Sequence, residues 1–254
     1  MAVYVFDLDG TIVHNGMPIN EGIYKEILRI SESNEVIFAS ARPVRDMLPL
    51  IPALLQDCLM IGCNGGMAWQ KDSMIFCNFF KKEIAHEIIS FLRKEYIPYI
   101  LDSTWQYSFS NIPHSFHNYV KSLSDDFEDS EENVINSGIS KILILDGSST
   151  SKVNAFLSKN GYKLHINYHK KDNFYDITPQ LDNKHQSLKK LGVNFSEVIA
   201  FGNDANDFDT LNNANVSVFL GDPQEYAAAD YYCEIEYIQS FLKEISNISK
   251  SIES

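Results

Sequence analysis

Short apolar runs alternate with amphipathic stretches along this chain, and the alternation changes character in its middle. Val3-Tyr4-Val5-Phe6 is unbroken, β-branched and aromatic, the pattern of a strand buried on both faces. It runs into the polar turn Asp7-Leu8-Asp9-Gly10-Thr11. Asn20 is placed as an N-cap, with Ile23, Ile27 and Ile30 following at helical spacing. Val36-Ile37-Phe38-Ala39 predicts a second buried strand ending at Ser40, and Pro43 suits the first turn of a helix running to about Leu55. Leu59-Met60-Ile61 predicts a third strand, closed by Asn64-Gly65-Gly66. Strands and helices in this order predict an α/β fold, a doubly wound, Rossmann-like parallel sheet with helices on both faces.

Then the pattern shifts. Ile84, Ile88, Phe91 and Leu92 mark an amphipathic helix, and Tyr99-Ile100-Leu101 and Tyr107-Ser108-Phe109 read as paired strands. The acidic stretch Asp125 to Glu132 reads as a solvated loop or helix end. Lys141 to Leu145 predicts a strong strand, with weaker ones at Leu164-His165-Ile166 and Phe174 to Ile177. Near Thr178 the first pattern returns: a helix over Lys184 to Leu191 and a strand over Val198 to Phe201. The run Gly202-Asn203-Asp204-Ala205-Asn206-Asp207 comes next, then a strand over Val216 to Phe219. The division this predicts is a core of residues 1–80 and 174–254, interrupted by an inserted α+β cap, residues 81–173.

Composition narrows the choice of partner. A formal net charge of -13 and a pI near 4.9 disfavour nucleic acid and anionic lipid. No apolar stretch approaches a membrane span, and no basic segment precedes the first strand, so a cytoplasmic location is expected. Cys58, Cys63, Cys77 and Cys233 form no C-x-x-C pair and read as buried thiols of a reducing compartment. The histidines show no zinc-type spacing.

In an open parallel sheet, ligands gather at the carboxyl ends of the strands. Polar groups stand at four such ends: Asp7 with Asp9, Ser40, Asn203 with its neighbours, and Asp222; Lys184 lies near a helix start. Asp7 suits a nucleophile, splitting a displacement at phosphorus into two steps through an aspartyl-phosphate. Asp9 suits the general acid and base. A carboxylate attacking a phosphate dianion meets repulsion, which a divalent cation relieves, and oxygen ligands favour Mg²⁺. Lys184 would neutralise further charge and Ser40 would hydrogen-bond a phosphate oxygen. Other residues have two readings each. Arg42 and Arg45 orient substrate or form ion pairs; Asn64 touches substrate or tolerates a left-handed turn. Trp105 and Tyr107 line a sugar pocket or fill core.

Asp7-Leu8-Asp9-Gly10-Thr11 resembles the first motif of the haloacid dehalogenase superfamily, Ser40 its second, Lys184 its third and Gly202 to Asp207 its fourth. The position of the insert resembles the Cof-like subfamily with a large α/β cap, whose members include sugar phosphatases and phosphomannomutases. The resemblance implies that Asp7 is nucleophile and metal ligand, and that Asp9 is acid/base and metal ligand through its carbonyl. It implies phosphate contacts from Ser40, Lys184 and Asn206, with the backbone N–H of Ala41, and further metal ligation by Asn203 and Asp207. Two positions depart from the family's pattern: Asn203 stands where it has Asp, and Ala41 where it has Gly. Whether Asn203, Asp204 or Asp207 completes the metal set stays open. The implied activity is Mg²⁺-dependent hydrolysis of a small phosphorylated metabolite, a sugar phosphate foremost, by a monomer or weak dimer. A phosphomutase and a non-catalytic sugar-phosphate-binding module are the alternatives. The cap is expected to choose the substrate.

Overall fold

The computed structural model describes residues 1–169, 172–179 and 183–252. The parts of the expected domains at 170–171, 180–182 and 253–254 lie outside the described residues. The chain opens with β1 (Val3–Asp7), α1 (Glu21–Ser31), β2 (Glu35–Ala39), α2 (Val44–Met47), β3 (Leu59–Gly62), β4 (Met67–Gln70) and β5 (Ser73–Cys77). There follow α3 (Lys82–Lys94), β6 (Tyr99–Asp102), β7 (Tyr107–Phe109), α4 (Phe116–Ser124), α5 (Glu131–Ser137), β8 (Lys141–Ile144), α6 (Thr150–Lys159), β9 (His165–His169) and β10 (Phe174–Thr178). Last come α7 (Lys184–Lys190), β11 (Val198–Gly202), α8 (Phe208–Asn213), β12 (Val216–Leu220), β13 (Tyr231–Cys233) and α9 (Ile238–Ile252). These elements make two compact units, Met1–Ile75 with Asn183–Ser254, and Phe76–Asp182.

In the first unit the strand order is β13-β12-β11-β1-β2-β3-β4-β5. From β13 to β3 every pairing is parallel, and β4 joins β3 antiparallel. The chain runs outward from β1 through β2 and β3, then returns to start again at β11 on the other side of β1. The strand order therefore reverses between β1 and β11, where a parallel sheet opens a crevice at its carboxyl edge. All five residues of β1 are buried. Phe6 stacks on Phe201 at 4.7 Å between ring centroids and lies 6.3 Å from Phe38, so three adjacent strands share one aromatic layer. Burying such a side chain is worth about 1.5–3 kcal/mol relative to leaving it exposed. The helix α1 is set as expected: Asn20 accepts the Ile23 N–H at 2.9 Å, and Ile23, Ile27 and Ile30 are buried.

Two expectations for this unit fail locally. The helix expected from Pro43 to Leu55 stops at Met47, and two single 3₁₀ turns, Leu48–Leu50 and Ala53–Leu55, replace its remainder. Pro49 and Pro52 lack the N–H that a continuing helix needs. Strands β4 and β5 were not anticipated; Lys71 and Asp72, both in the left-handed region, turn the chain between them without glycine or proline. Among the thiols, Cys63 and Cys233 are buried, whereas Cys58 and Cys77 are only half-buried. Among the described residues no helix is long and apolar enough to cross a membrane.

The second unit is an antiparallel sheet in the order β7-β6-β8-β10-β9. Its boundaries differ from 81–173. The boundary after residue 173 left out the strand Phe174–Thr178, which pairs with β8 and β9, and the boundary before residue 81 left out Phe80, which packs among Ile88, Leu92, Ile142 and Ile144. The rim of this unit is therefore held by its own core. One sheet face carries Leu101, Ile142, Ile144, Tyr175 and Ile177 against α3 and α6. The opposite face buries Ile100, Leu143 and Leu145 with Val120 of α4. Tyr107 belongs to that cluster, and Trp105 stacks on Phe127, so both aromatic residues serve packing.

Strand alternation puts charged groups on the same face as Ile100 and Leu143. Lys141 reaches Asp102 at 3.3 Å, while Asp176 accepts from Asn167 at 2.9 Å and meets His169 Nε2 at 2.8 Å. Burial pulls the His169 imidazole down, but the hydrogen bond and charge of Asp176 outweigh it and hold it above 6.5. Burial likewise raises Asp176, and His169 with Lys141 brings it below 3.8. The raised imidazole stabilises the fold below 6.5 and loses that effect as pH rises through its folded value; the depressed carboxylate stabilises above 3.8 and loses it on acidification. His169→Leu is therefore expected to lower the melting temperature most between about pH 4 and 6.5, and least near pH 8.5. Thermal unfolding of variant and wild type across this range checks the pair; a gap that widened toward pH 8.5 would exclude it.

Candidate active site

The carboxyl end of β1 is where apolar alternation hands over to chemistry. Asp7 is the last residue of β1, paired in register with Ala39. Leu8 turns into the core, and its carbonyl accepts N–H groups from Thr11, Ile12 and Val13 at 3.1, 3.0 and 2.8 Å. This tight knot presents Asp7 and Asp9 to the same edge of the sheet. Gly10 makes the knot feasible: its φ is +83°, and a Cβ there would lie 2.2 Å from the Asn203 side chain.

Lys184 is the first residue of α7, whose Asn183 cap accepts the Gln186 N–H at 2.9 Å. The helix start is pinned by Ser187, which donates to the Gly65 carbonyl at 2.7 Å. Gly65 has φ +108°, and the Asn183 carbonyl comes within 2.5 Å of where its Cβ would be. Thus the Asn64-Gly65-Gly66 turn fixes where the lysine enters. Its ammonium is 2% exposed and donates to Asp7 Oδ1 at 2.5 Å and to Asp207 Oδ1 at 2.7 Å. The other oxygen of Asp207 accepts the backbone N–H groups of Asn203 and Asp204 at 3.0 and 3.2 Å. Asp204 accepts from the Ala205 N–H at 2.7 Å, completing a capping box with Asp207. Asp204 is thereby committed to its own turn.

The second oxygen of Asp7 accepts the Thr11 hydroxyl at 3.1 Å. The Asn203 carboxamide ends 3.0 Å from the Asp9 carbonyl oxygen and 3.3 Å from Asp7 Oδ2, and its amide nitrogen is the end that makes both contacts hydrogen bonds. The Asp9 side chain is half-exposed and gripped by Arg42, with Nε at 2.6 Å from Oδ2 and Nη2 at 2.8 Å from Oδ1. Ser40 is buried just past β2; its hydroxyl accepts the Arg42 N–H at 3.1 Å and its carbonyl the Asn64 N–H at 2.9 Å. Ala41 is the residue between Ser40 and Arg42. Asn206 donates to Asn64 Oδ1 at 3.0 Å, and Asn64 holds φ 54° with its side-chain nitrogen buried and unpartnered.

The structure therefore joins Asp7, Asp9, Lys184, Asn203 and Asp207 in one bonded network, and links Ser40 to Asn206 through Asn64. Asp222 instead caps its own turn, accepting the Gln224 N–H at 2.8 Å. Two partners escaped the sequence reading: Thr11 as a donor to Asp7, and Arg42 as the bidentate holder of Asp9. The threonine lies inside a recognisable turn and was legible as a polar neighbour; the arginine had an ion-pair reading but no named acid.

Electrostatically the site is short of positive charge. Two buried carboxylates share one ammonium. Burial, and after it the Asp207 charge, push the Asp7 carboxyl up to about 7 against the pull of Lys184. Lys184 is raised as well, because the two carboxylates overcome its own burial. Such a site favours a further cation. Among the described residues no three His, Cys, Asp or Glu side chains converge as a metal cluster, so a cation here would draw on mixed oxygen donors. Ligands cis to one another around Mg²⁺ at about 2.0–2.1 Å lie roughly 2.9 Å apart. The carboxamide end of Asn203 stands at close to that spacing from the Asp9 carbonyl and Asp7 Oδ2, so these residues fit the group.

Comparison with known proteins places the chain in a family and a fold. A family model for haloacid dehalogenase-like hydrolases matches residues 4–237. The chain belongs to that family. It is similar to a Buchnera aphidicola protein provisionally named a phosphatase, 28% identical over 242 residues, 86% of this chain and 84% of the relative. A haloacid dehalogenase-like hydrolase from Bacteroides thetaiotaomicron superposes with a TM-score of 0.81 at 20% identity, covering 96% of this chain and 99% of its own. The subclass IIB sugar phosphatase BT4131 superposes with a TM-score of 0.72 at 21% identity, over 100% and 99% of the two chains.

A carboxyl whose folded value lies above its unfolded 3.8 binds more protons in the folded state, so stability falls as pH climbs from about 4 to 7. Asp7→Asn removes that loss. In metal-free buffer the variant is expected to melt above wild type at pH 8, with the gain shrinking toward pH 5. A gain that is constant with pH, or a loss at pH 8, would contradict the charge imbalance.

Proposed function

We propose that this chain is a Mg²⁺-dependent phosphatase that hydrolyses a small phosphate monoester, of the sugar phosphate class, through an aspartyl-phosphate on Asp7. The observation that carries the reading is the joint placement of Asp7 and Asp9. One carboxylate is buried, oriented by Lys184 and Thr11; the other, two residues on, is half-exposed and held by Arg42. A nucleophile needs the fixed aim of the first, and a proton shuttle the access to solvent of the second once Arg42 lets go. Asp7, the Asp9 carbonyl and Asn203 would hold Mg²⁺, with Asp207 orienting the loop that carries Asn203, and the ion would supply positive charge against the repulsion between a carboxylate and a phosphate dianion.

In this reading Lys184 keeps Asp7 aimed and offsets charge arriving with substrate. Ser40, the Ala41 N–H and Asn206 take phosphoryl oxygens. Asp9 gives its proton to the departing alcohol, after release from Arg42, and then draws a proton from the water that attacks the acyl-phosphate. The second unit selects the alcohol. The protein works in the cytoplasm on a soluble metabolite, as a monomer or weak dimer, without nucleic acid or membrane. The relatedness to a provisionally named phosphatase and the shared fold of a sugar phosphatase support this class of substrate.

Asp7→Asn is expected to abolish phosphate release from a panel of phosphorylated metabolites, since an amide does not attack phosphorus. Residual turnover above a few per cent would remove Asp7 as nucleophile. Asp9→Asn is expected to slow alkyl phosphates by roughly 10²–10⁴, the usual loss with a general acid, and to slow aryl phosphates much less. Equal losses on alkyl and nitrophenyl esters would exclude Asp9 from the acid role.

A further inference from the structure

One residue in the network has two ways of serving it. The Asn203 carboxamide ends at 3.0 Å from the Asp9 carbonyl oxygen and 3.3 Å from Asp7 Oδ2, and 3.3 Å from the Thr11 hydroxyl oxygen. With its nitrogen at that point, it donates to the two acceptors and holds the knot of β1 together with no ion present. With its oxygen there, the one donor it meets is the Thr11 hydroxyl, which it shares with Asp7 Oδ2, and the contacts to Asp7 Oδ2 and the Asp9 carbonyl become oxygen against oxygen, unfavourable unless a cation lies among them. A half-turn of the terminal amide exchanges the two atoms while the side chain keeps its place, because nitrogen and oxygen are nearly the same size.

We propose that Asn203 is a positioning residue that alternates between hydrogen-bond donor to Asp7 and Asp9 in the empty site and oxygen ligand in the loaded one. This rests on the reading of the site as one that takes Mg²⁺. An aspartate at the same place has only the second state. Its carboxylate would stand beside Asp7 Oδ2 and the Asp9 carbonyl as a third acceptor, in a site already short of positive charge. The carboxamide therefore trades affinity for an empty site that is assembled on its own. The backbone of the loop is independently fixed by Asp207, which accepts the Asn203 and Asp204 N–H groups, so substitution of the side chain leaves its starting point in place.

The test uses the full chain, wild type against Asn203→Asp and Asn203→Ala, by thermal unfolding in chelator and in saturating Mg²⁺. Calorimetry measures Mg²⁺ affinity. In chelator the expected order of melting temperature is Asn, then Ala, then Asp, with Asp several degrees below wild type. With Mg²⁺ the Asp variant moves from last to first: Asp equals or exceeds Asn, and Ala is lowest. The Asp variant should bind Mg²⁺ on the order of tenfold more tightly, because a charged ligand replaces a neutral one. In ¹⁵N-labelled wild type, the side-chain NH₂ pair absent from the Asp variant's spectrum should shift on adding Mg²⁺. An Asp variant as stable as wild type in chelator, or an NH₂ pair unmoved while calorimetry records Mg²⁺ binding, would overturn the proposal. If no form binds Mg²⁺, the functional reading fails by itself, and the chelator series alone then decides whether Asn203 tethers the knot.

Discussion

Two carboxylates and one ammonium, buried together at the mouth of an apolar sheet, set the terms for the rest of this molecule. Removing charges from water costs several kcal/mol per ion, and the mutual attraction repays it only where geometry is close and every lone pair is engaged. Here Asp7 and Asp207 both engage Lys184, the outer oxygens take Thr11 and two backbone N–H groups, and the sum still leaves one negative charge uncompensated. The upward displacement of Asp7 comes first from its burial and then from the neighbouring Asp207 charge. A sheet selected only for stability would put an apolar residue at the end of β1. The folded state tolerates the carboxylate because strands with apolar side chains on both faces surround it and supply the stabilisation that the site consumes.

This constraint explains features that look unrelated along the chain. Lys184 must arrive from a distant segment with its nitrogen within about 2.7 Å of both acids, so the turn at Gly65 and the start of α7 are fitted backbone to backbone. The loop after β11 must bring Asp207 back beneath its own strand end, and the capping box does this with the N–H groups of the loop itself. Asp9 escapes the shortfall because it faces outward to Arg42, which arrives from the end of β2. Proximity in sequence to Asp7 therefore does not mean a shared environment: the strand ends at Asp7, and the turn that follows leaves Asp9 half-exposed beside Arg42 while Asp7 stays buried.

The first unit was legible in the sequence because its strands are buried on both faces and read as continuous apolar runs, each ended by a polar or glycine turn. The site residues were legible for the same reason: they follow those runs directly. What escaped has physical causes. Pro49 and Pro52 cut a helix whose apolar spacing alone argued for continuation. The half-exposed strand β5 carries no strict alternation and turns on Lys71 and Asp72, residues with no turn signature. The boundary fell just before the strand at Phe174, which belongs to the second sheet, since an apolar run states that it will be buried and leaves open against which partner. Pairings between side chains far apart in sequence, Asp9 with Arg42 or Asn206 with Asn64, have no local pattern at all.

The division of labour among the acidic positions follows from how many fixed donors each one meets. Asp207 is engaged on both oxygens by groups that the fold itself places, so it cannot turn toward a ligand without dismantling its loop. Asp204 is spent on its cap. Asp7 keeps one oxygen on Lys184, leaving the other among partners that can be exchanged, a hydroxyl and an amide. The proposed nucleophile is thus the carboxylate with the weakest fixed commitments, and Asn203 stands at its exchangeable oxygen. A neutral carboxamide there is the one departure that relieves the shortage of positive charge without adding a charge of its own, which makes it the position where affinity for a cation and stability without one are set against each other.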